Sequence, residues 1–262
     1  MGIDPAEVAD AGTRVFAEMN RLVPGFDGLV APDVTVASIG LPIARVNSAS
    51  AARFSPETAD ARIDDVVAWF EARRVPFVWR LGPADKPDDL QERLLAKGFT
   101  LDPDEMPGMS ASLADLPDVE LPAGTTIETV RNVDAFRAWL DTMVVGFGMP
   151  PQIGDAYMAF ANLGFGDELP IRGLLARVDG RAVSTALGVL AGEGIVIVNV
   201  TTVPEQRGRG LGRAVTLATM HAGAAAGARM AVLQSTEMGL GVYRRLGFRE
   251  YGQYRVLARL PG

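Results

Sequence analysis

Apolar residues recur over the first 20 positions at helical spacing, with Val8, Val15, Phe16 and Met19 in register, and predict an amphipathic helix from about Pro5 to Arg21. Asp33 to Val46 is mixed and carries short extended pieces. From Asp60 to Arg73 the pattern Ile63, Val66, Val67, Phe70 predicts a second helix, and Pro76-Phe77-Val78-Trp79-Arg80-Leu81 reads as a strand. Asp88 to Lys97 predicts a third helix, capped near Asp88 and stopped by Gly98, after which Phe99 opens another extended segment. The pattern then breaks. Between Leu113 and Thr125, Pro117, Pro122 and Gly124 stand among acidic and small residues, which predicts a boundary dividing the chain into 1–121 and 122–262.

Beyond the boundary, Thr126 to Val130 reads as a strand and Val133 to Val145 as a helix with Phe136, Trp139, Leu140 and Met143 on one face. A Gly-Pro loop from Gly146 to Pro151 and a short helix from Ala156 to Leu163 follow. Arg172 to Val178 and Val183 to Leu190 flank Asp179-Gly180, a strong hairpin signal. A β-branched strand then runs to Thr202, where Pro204 stops it. A turn rich in glycine and arginine leads into a helix from Leu211 to about Ala226. The strand Met230 to Ser235 comes next, then a helix whose end reads Tyr243-Arg244-Arg245-Leu246-Gly247-Phe248. Strands and helices mixed in this order predict an α+β fold in two domains.

The composition narrows the classes. No apolar run approaches the roughly 18 residues of a membrane span, and the acidic start Met1-Gly2-Ile3-Asp4-Pro5-Ala6-Glu7 carries no export or myristoylation signal. The absence of cysteine excludes disulfides, thiol nucleophiles and thiolate metal ligands, and fits a cytoplasmic protein. A net charge of −7 disfavours general nucleic-acid binding. Against it, Arg207, Arg209 and Arg213, offset only by Glu205, form a local basic patch suited to one small polyanion.

That patch lies in Thr201-Thr202-Val203-Pro204-Glu205-Gln206-Arg207-Gly208-Arg209-Gly210-Leu211-Gly212-Arg213. A strand feeding a glycine-rich turn at a helix N-terminus directs unpaired N–H groups and partial positive charge outward, toward phosphate oxygens. Gly208, Gly210 and Gly212 keep Cβ atoms out of the way. No Lys-Ser or Lys-Thr pair follows the glycines, so this is not a P-loop. The G-x-G-x-G run has Val232, not an acidic residue, 20 positions beyond Gly212, which disfavours a dinucleotide fingerprint.

The stretch resembles the R-x-x-G-x-G pyrophosphate loop of the GNAT superfamily of acyl-CoA-dependent N-acyltransferases, with Arg207, Gly210 and Gly212 on the signature positions. The Tyr-bearing helix ending in Gly-Phe fits the same family. The resemblance implies two GNAT-like domains, each a twisted, mostly antiparallel sheet flanked by helices. It implies acetyl-CoA as co-substrate and an amine as acceptor. Arg207, Gly208, Arg209, Gly210, Leu211, Gly212 and Arg213 would bind pyrophosphate through backbone N–H groups, and Val200, Thr201 and Thr202 would pair with the pantetheine arm, Val200 N–H facing the acyl carbonyl. Thr236 takes the place of the family's pantetheine-side Asn. Tyr243 would be the general acid for the departing thiolate. No metal is implied.

The first half repeats the order strand, helix, Gly-Phe, with Leu94 to Phe99 opposite Tyr243 to Phe248. No glycine stands 38 residues before Phe99, where Gly210 stands before Phe248, so the first half resembles a degenerate copy with Leu94 in place of Tyr243. The base is not visible. Val196 occupies the position at which some family members carry a Glu, and Asp167, Glu168, Glu193 and Glu237 read as solvated loop charges. His221 reads as a packing or surface residue. Phe147 to Ile153 and Tyr157 are expected either to face the acceptor or to pack at the interface between the two domains. The rival reading is a non-catalytic acyl-CoA-binding protein.

Overall fold

The periodic segments resolve into seven α-helices and twelve strands among the described residues, 2–104 and 106–259 of the computed structural model. Two compact units result. The N-terminal unit comprises Thr13–Gly108 and the chain from Tyr251 on; the C-terminal unit comprises the chain up to Gly12 and Met109–Glu250.

The chain begins with α1 (Pro5–Asn20), whose first turns belong to the C-terminal unit. The N-terminal unit then contains β1 (Asp27–Val30), β2 (Thr35–Ser38), β3 (Asn47–Ser50), α2 (Ala59–Glu71), β4 (Phe77–Leu81), α3 (Leu90–Ala96) and β5 (Thr100–Leu101). Its sheet runs β1-β2-β3-β4 and is completed by β12 (Arg249–Arg259), which also pairs with β5. Only β3 and β4 are parallel. Ile63 and Phe70 of α2, Trp79 of β4, Leu94 of α3 and Leu257 of β12 meet in one core. Phe70 and Phe77 stack with ring centroids 3.9 Å apart. The cap of α3 is Asp89 rather than Asp88, and its side chain makes no capping bond.

In the C-terminal unit the order is β6-β11-β10-β9-β8-β7. The ranges are β6 (Met106–Ser112), β7 (Thr125–Thr129), β8 (Ile171–Val178), β9 (Arg181–Ala191), β10 (Gly194–Thr202) and β11 (Met230–Gln234). Strands β7 to β10 are antiparallel neighbours, and β10 and β11 are parallel. Helix α4 (Val133–Phe147) is capped by the Asn132 side chain on Ala135 N–H at 2.8 Å. Its buried Trp139 donates Nε1–H to the carbonyls of Leu174 and Ala186, fixing it to β8 and β9. Helix α5 (Pro151–Tyr157) starts earlier than the expected Ala156, because Pro151 fits the first turn, where no N–H is needed. The remaining helices are α6 (Leu211–Ala225) and α7 (Glu237–Arg245). The Asp179-Gly180 hairpin turn has φ of 49° and 78°, as a two-residue turn with both central residues left-handed requires.

The helix-Gly-Phe repeat extends to the hydrogen bonds. Phe99 N–H donates to Leu94 C=O at 3.1 Å and Phe248 N–H to Tyr243 C=O at 3.0 Å; Gly98 and Gly247 donate to Leu95 and Arg244. Each stop has its glycine in the left-handed region, φ 83° and 86°.

The units differ from the segments 1–121 and 122–262. Met109 to Leu121 belongs with the C-terminal unit, and the chain beyond Glu250 with the N-terminal one. The reason is strand exchange: β6 precedes the proline-rich connection yet lies beside β11, and β12 ends the chain yet completes the sheet on β4. Tyr254, Val256 and Leu257 of β12 are buried. At about 1.5–3 kcal/mol for each fully buried large apolar side chain, β12 carries a stabilisation comparable to the ~5–15 kcal/mol that typically separates folded from unfolded. Fragments 1–121 and 122–262 expressed separately should therefore lack cooperative thermal unfolding, and co-expression should restore it. Independent cooperative melting of fragment 1–121 would contradict the exchange.

Candidate functional site

The site forms where β10 leaves β11. Their parallel register covers Gly194↔Met230, Ile195↔Ala231 and Val196↔Val232 and then ends, although β10 continues to Thr202. On its other side β10 stays with β9 through an irregularity: pairs Val198↔Leu187 and Thr201↔Thr185 leave Asn199 and Val200 opposite Ala186 alone. This is a β-bulge, and Asn199 supplies it with φ 53°. Side-chain parity confirms it. Before the bulge the odd residues Ile195 and Ile197 pack with Leu217 and Met220 of α6; after it the even residue Val200 packs with Val215 of α6. Thr201 instead faces α4, close enough to Gly146 that a Cβ there would meet its Oγ1.

Beyond β10, the glycine turn opens onto α6. Gly208 and Gly210 have φ of 77° and 82°, which side chains disfavour. Gly210 is the N-cap of α6 and offers no side-chain cap, so the first-turn N–H groups of Leu211, Gly212 and Arg213 point out of the helix without that partner. The first turn contains no acidic residue. Gly212 lies inside the helix, and a Cβ on it would meet only Thr202 Oγ1 at 3.7 Å. No neighbour among the described residues demands a glycine at this position. A donor set of bare N–H groups beside this glycine fits phosphate oxygens.

The arginines divide. Arg207 donates Nε–H to Thr202 C=O at 3.1 Å and Nη2–H to Gly146 C=O at 2.8 Å, so its side chain ties the end of β10 to the end of α4. Arg209 bonds Gln206, and Arg213 is 4.0 Å from Glu120. Leu211 turns its side chain inward against Val178 and Val183, leaving only its backbone available. Thr236 caps α7, accepting from Gly239 N–H at 3.4 Å.

Tyr243 lies on α7 with its ring against Phe248, centroids 5.8 Å apart, in the same cluster as Ile195 and Ile197. Burial pushes its hydroxyl up to about 12, since the phenolate loses its water.

Two of the proton-accepting candidates, Asp167 and Glu193, are engaged in ion pairs. Val196 packs against α1, where a Cβ on Gly12 would collide with it. Asp167 pairs with Arg131 at 3.0 Å, and that hydrogen bond holds its carboxyl below the usual range. Glu193 pairs with Arg229 at 2.9 Å, Glu168 is exposed, and Glu237 occupies the first turn of α7. His221 Nε2 is 2.9 Å from the Pro117 carbonyl. Among the described residues no group of three or more His, Asp and Glu is placed to hold a metal, and no helix is long and apolar enough to cross a membrane. Phe147 is exposed at the end of α4, and the rings of Tyr157 and Phe160 stack 6.0 Å apart.

Sequence reasoning missed Asn199, Thr185 and Ser184. An Asn inside the β-branched run Val196 to Thr202 was the available signal, because Asn is disfavoured in strands and tolerates the left-handed region.

No protein-family model matches the sequence, and no curated protein sequence matches it significantly. Solved structures do match. The chain has the fold of the GCN5-related N-acetyltransferases, a mixed α/β arrangement around a mostly antiparallel open sheet. It is similar to a GCN5-related N-acetyltransferase from Kribbella flavida over 96% of both chains, with a TM-score of 0.72 and 23% identity. One from Sphaerobacter thermophilus matches over 99% of this chain and 95% of its own, at 0.64 and 19%. A tandem GNAT protein from the clavulanic acid biosynthesis pathway matches over 98% and 96%, at 0.58 and 13%. These likenesses are likenesses of fold.

Gly212 allows the phosphate assignment to be separated from stability. Gly212→Ala should raise the melting temperature slightly, since alanine is favoured in a helix by up to about 1 kcal/mol. It should weaken CoA about tenfold or more by placing a methyl group at the helix end. Unchanged CoA affinity, by calorimetry, would make the glycine run structural only.

Proposed function

We propose that this chain is an N-acetyltransferase that moves an acetyl group from acetyl-CoA to a primary amine by direct attack. The C-terminal unit is read as the catalytic domain and the N-terminal unit as a degenerate copy. The observation that carries this reading is the parting of β10 from β11 beside an uncapped, glycine-lined helix start. In the N-terminal unit the corresponding parallel ladder also ends after three pairs, but the loops beyond it do not separate. Beyond Ser50↔Arg80 the loop stays joined: Lys86 N–H donates to Ala52 C=O at 3.0 Å, Phe54 N–H to Lys86 C=O at 3.2 Å, and Arg53 pairs with Asp85. Buried Phe54 lies edge-on to Trp79 with centroids 6.2 Å apart. This supports one CoA per chain.

Acetyl-CoA supplies the activated acetyl group, to which the amine nitrogen bonds as the carbon–sulfur bond breaks. In this reading the N–H groups of Leu211 to Arg213 hold the pyrophosphate, with Gly208, Arg209 and Gly210 shaping the approach. Arg207 braces the strand rather than the phosphate. Thr236, occupied as a cap, lies beside the arm. Val200 to Thr202 line the pantetheine path, and Val200 N–H donates to the carbonyl oxygen as it takes charge.

Tyr243 donates a hydrogen bond to the leaving sulfur. Burial holds the hydroxyl in its protonated, donor state across the neutral range, which is the state a general acid needs. In this reading Tyr243 is the general acid for that sulfur, and the proton lost by the amine passes to water. The pairing of Asp167 and Glu193 and the packing of Val196 favour the second reading, an acyl-CoA-binding protein without transfer. Incubation with acetyl-CoA and a broad amine panel, with mass detection of acetylated product, separates the two. Acetyl-CoA binding without any product supports the second.

Tyr243→Phe should lower turnover about 10- to 100-fold, the worth of one hydrogen bond to a charged group, and leave CoA affinity nearly unchanged. Because the hydroxyl stays protonated, the alkaline side of the pH–rate profile should show no loss from it below about pH 11. Full turnover in the Phe variant, with chemistry rate-limiting, would return Tyr243 to packing. Calorimetry should also give one CoA per chain; two equivalent sites would overturn the degenerate assignment.

A further inference from the structure

The end of β10 is held by side chains. Thr185 Oγ1–H donates to Asn199 C=O at 2.9 Å, Ser184 Oγ–H to Thr201 C=O at 2.7 Å, and Arg207 to Thr202 C=O. Ser184 and Thr185 are fully buried on β9, so neither hydroxyl exchanges this bond for water. Asn199 holds a left-handed backbone, a region Asn tolerates better than other residues with side chains, and such a conformation persists where its surroundings over-determine it.

A trans peptide is planar, with its C=O and the following N–H pointing in opposite directions. The Asn199 carbonyl points at Thr185 on β9. The Val200 N–H, in the same peptide group, must then point away from β9, toward the side on which β11 has left. The hydrogen bond on the carbonyl also polarises the peptide and strengthens its N–H as a donor.

We propose that Thr185 is a positioning residue that acts through the Asn199–Val200 peptide: its hydroxyl fixes the plane and direction of the Val200 N–H that receives the acyl carbonyl. Asn199 supplies the turn and Ser184 secures the next peptide. The proposal rests on the acetyl-CoA reading of the site.

The test is the Val200 amide resonance of the full-length, isotope-labelled chain, titrated with acetyl-CoA and separately with CoA. In the unaltered protein acetyl-CoA should move it further than CoA does. Thr185→Val removes the hydroxyl at nearly constant volume; the difference between the two ligands should vanish while both affinities stay within about threefold. Thr185→Ser should restore the difference. Ser184→Ala, which leaves the Asn199 carbonyl clamped, should keep it. Thr185→Ala carries the same test where the Val variant does not fold. Persistence of the difference in Thr185→Val or Thr185→Ala at equal affinity overturns the clamp alone. Failure of the unaltered chain to bind acetyl-CoA overturns the reading of the site together with the clamp.

Discussion

Two parallel strands stay together only while each supplies the backbone partners the other needs. In the C-terminal unit that condition ends at Val196↔Val232. Past that point β10 follows β9 through the bulge at Asn199, and the extra residue increases its local twist. The features that make the site follow from this parting. Arg207 ties the free end of β10 to α4, Trp139 ties α4 to β8 and β9, and the glycine turn leads directly from β10 into an uncapped α6. A continuous β10–β11 ladder would satisfy the same peptide groups internally and leave none for a ligand.

The N-terminal unit shows that internal satisfaction within one chain. Its β3–β4 pair has the same parallel sense and leads through the same helix stop, Gly98-Phe99 matching Gly247-Phe248. Yet the loop after β3 is bonded to Lys86 and its apolar residue Phe54 is turned inward. With Arg62 paired to Asp33 at 2.7 Å and lying over the Phe54 ring, the position is filled by packing and ion pairing. Equal topology with opposite backbone satisfaction explains why a fold by itself does not make a binding site.

Much of this was legible in the residues. Helical periodicity located α1, α2 and α4, the Asp-Gly turn located the β8–β9 hairpin, and the glycine run located the start of α6. Strand exchange was not legible, because a proline-rich connection marks where the chain crosses and says nothing of which sheet a strand joins. Hence Met109 to Leu121 and the residues after Glu250 fall on the side opposite to expectation. The bulge was also hidden: Val198 to Thr202 alternates plausibly as a plain strand, and only the change of side-chain parity between Ile197 and Val200 exposes it. Arg207 matched a signature position by sequence, whereas its guanidinium binds two carbonyls of the protein itself.

The proton chemistry follows from what the fold has already committed. A carboxylate at position 196 would have to replace an apolar contact with Gly12, inside a face covered by α1, and an unpaired charge there would be costly. Asp167 and Glu193 are paired with arginines, and His221 lies against a carbonyl. Burial keeps the Tyr243 hydroxyl protonated, so it remains a hydrogen-bond donor throughout the neutral range. The candidate site is thus left with backbone N–H groups and one buried phenol. On the proposed acetyltransferase reading, such a set would stabilise developing negative charge by direction and desolvation, and its effectiveness would depend on how firmly the peptides after Val198 are held.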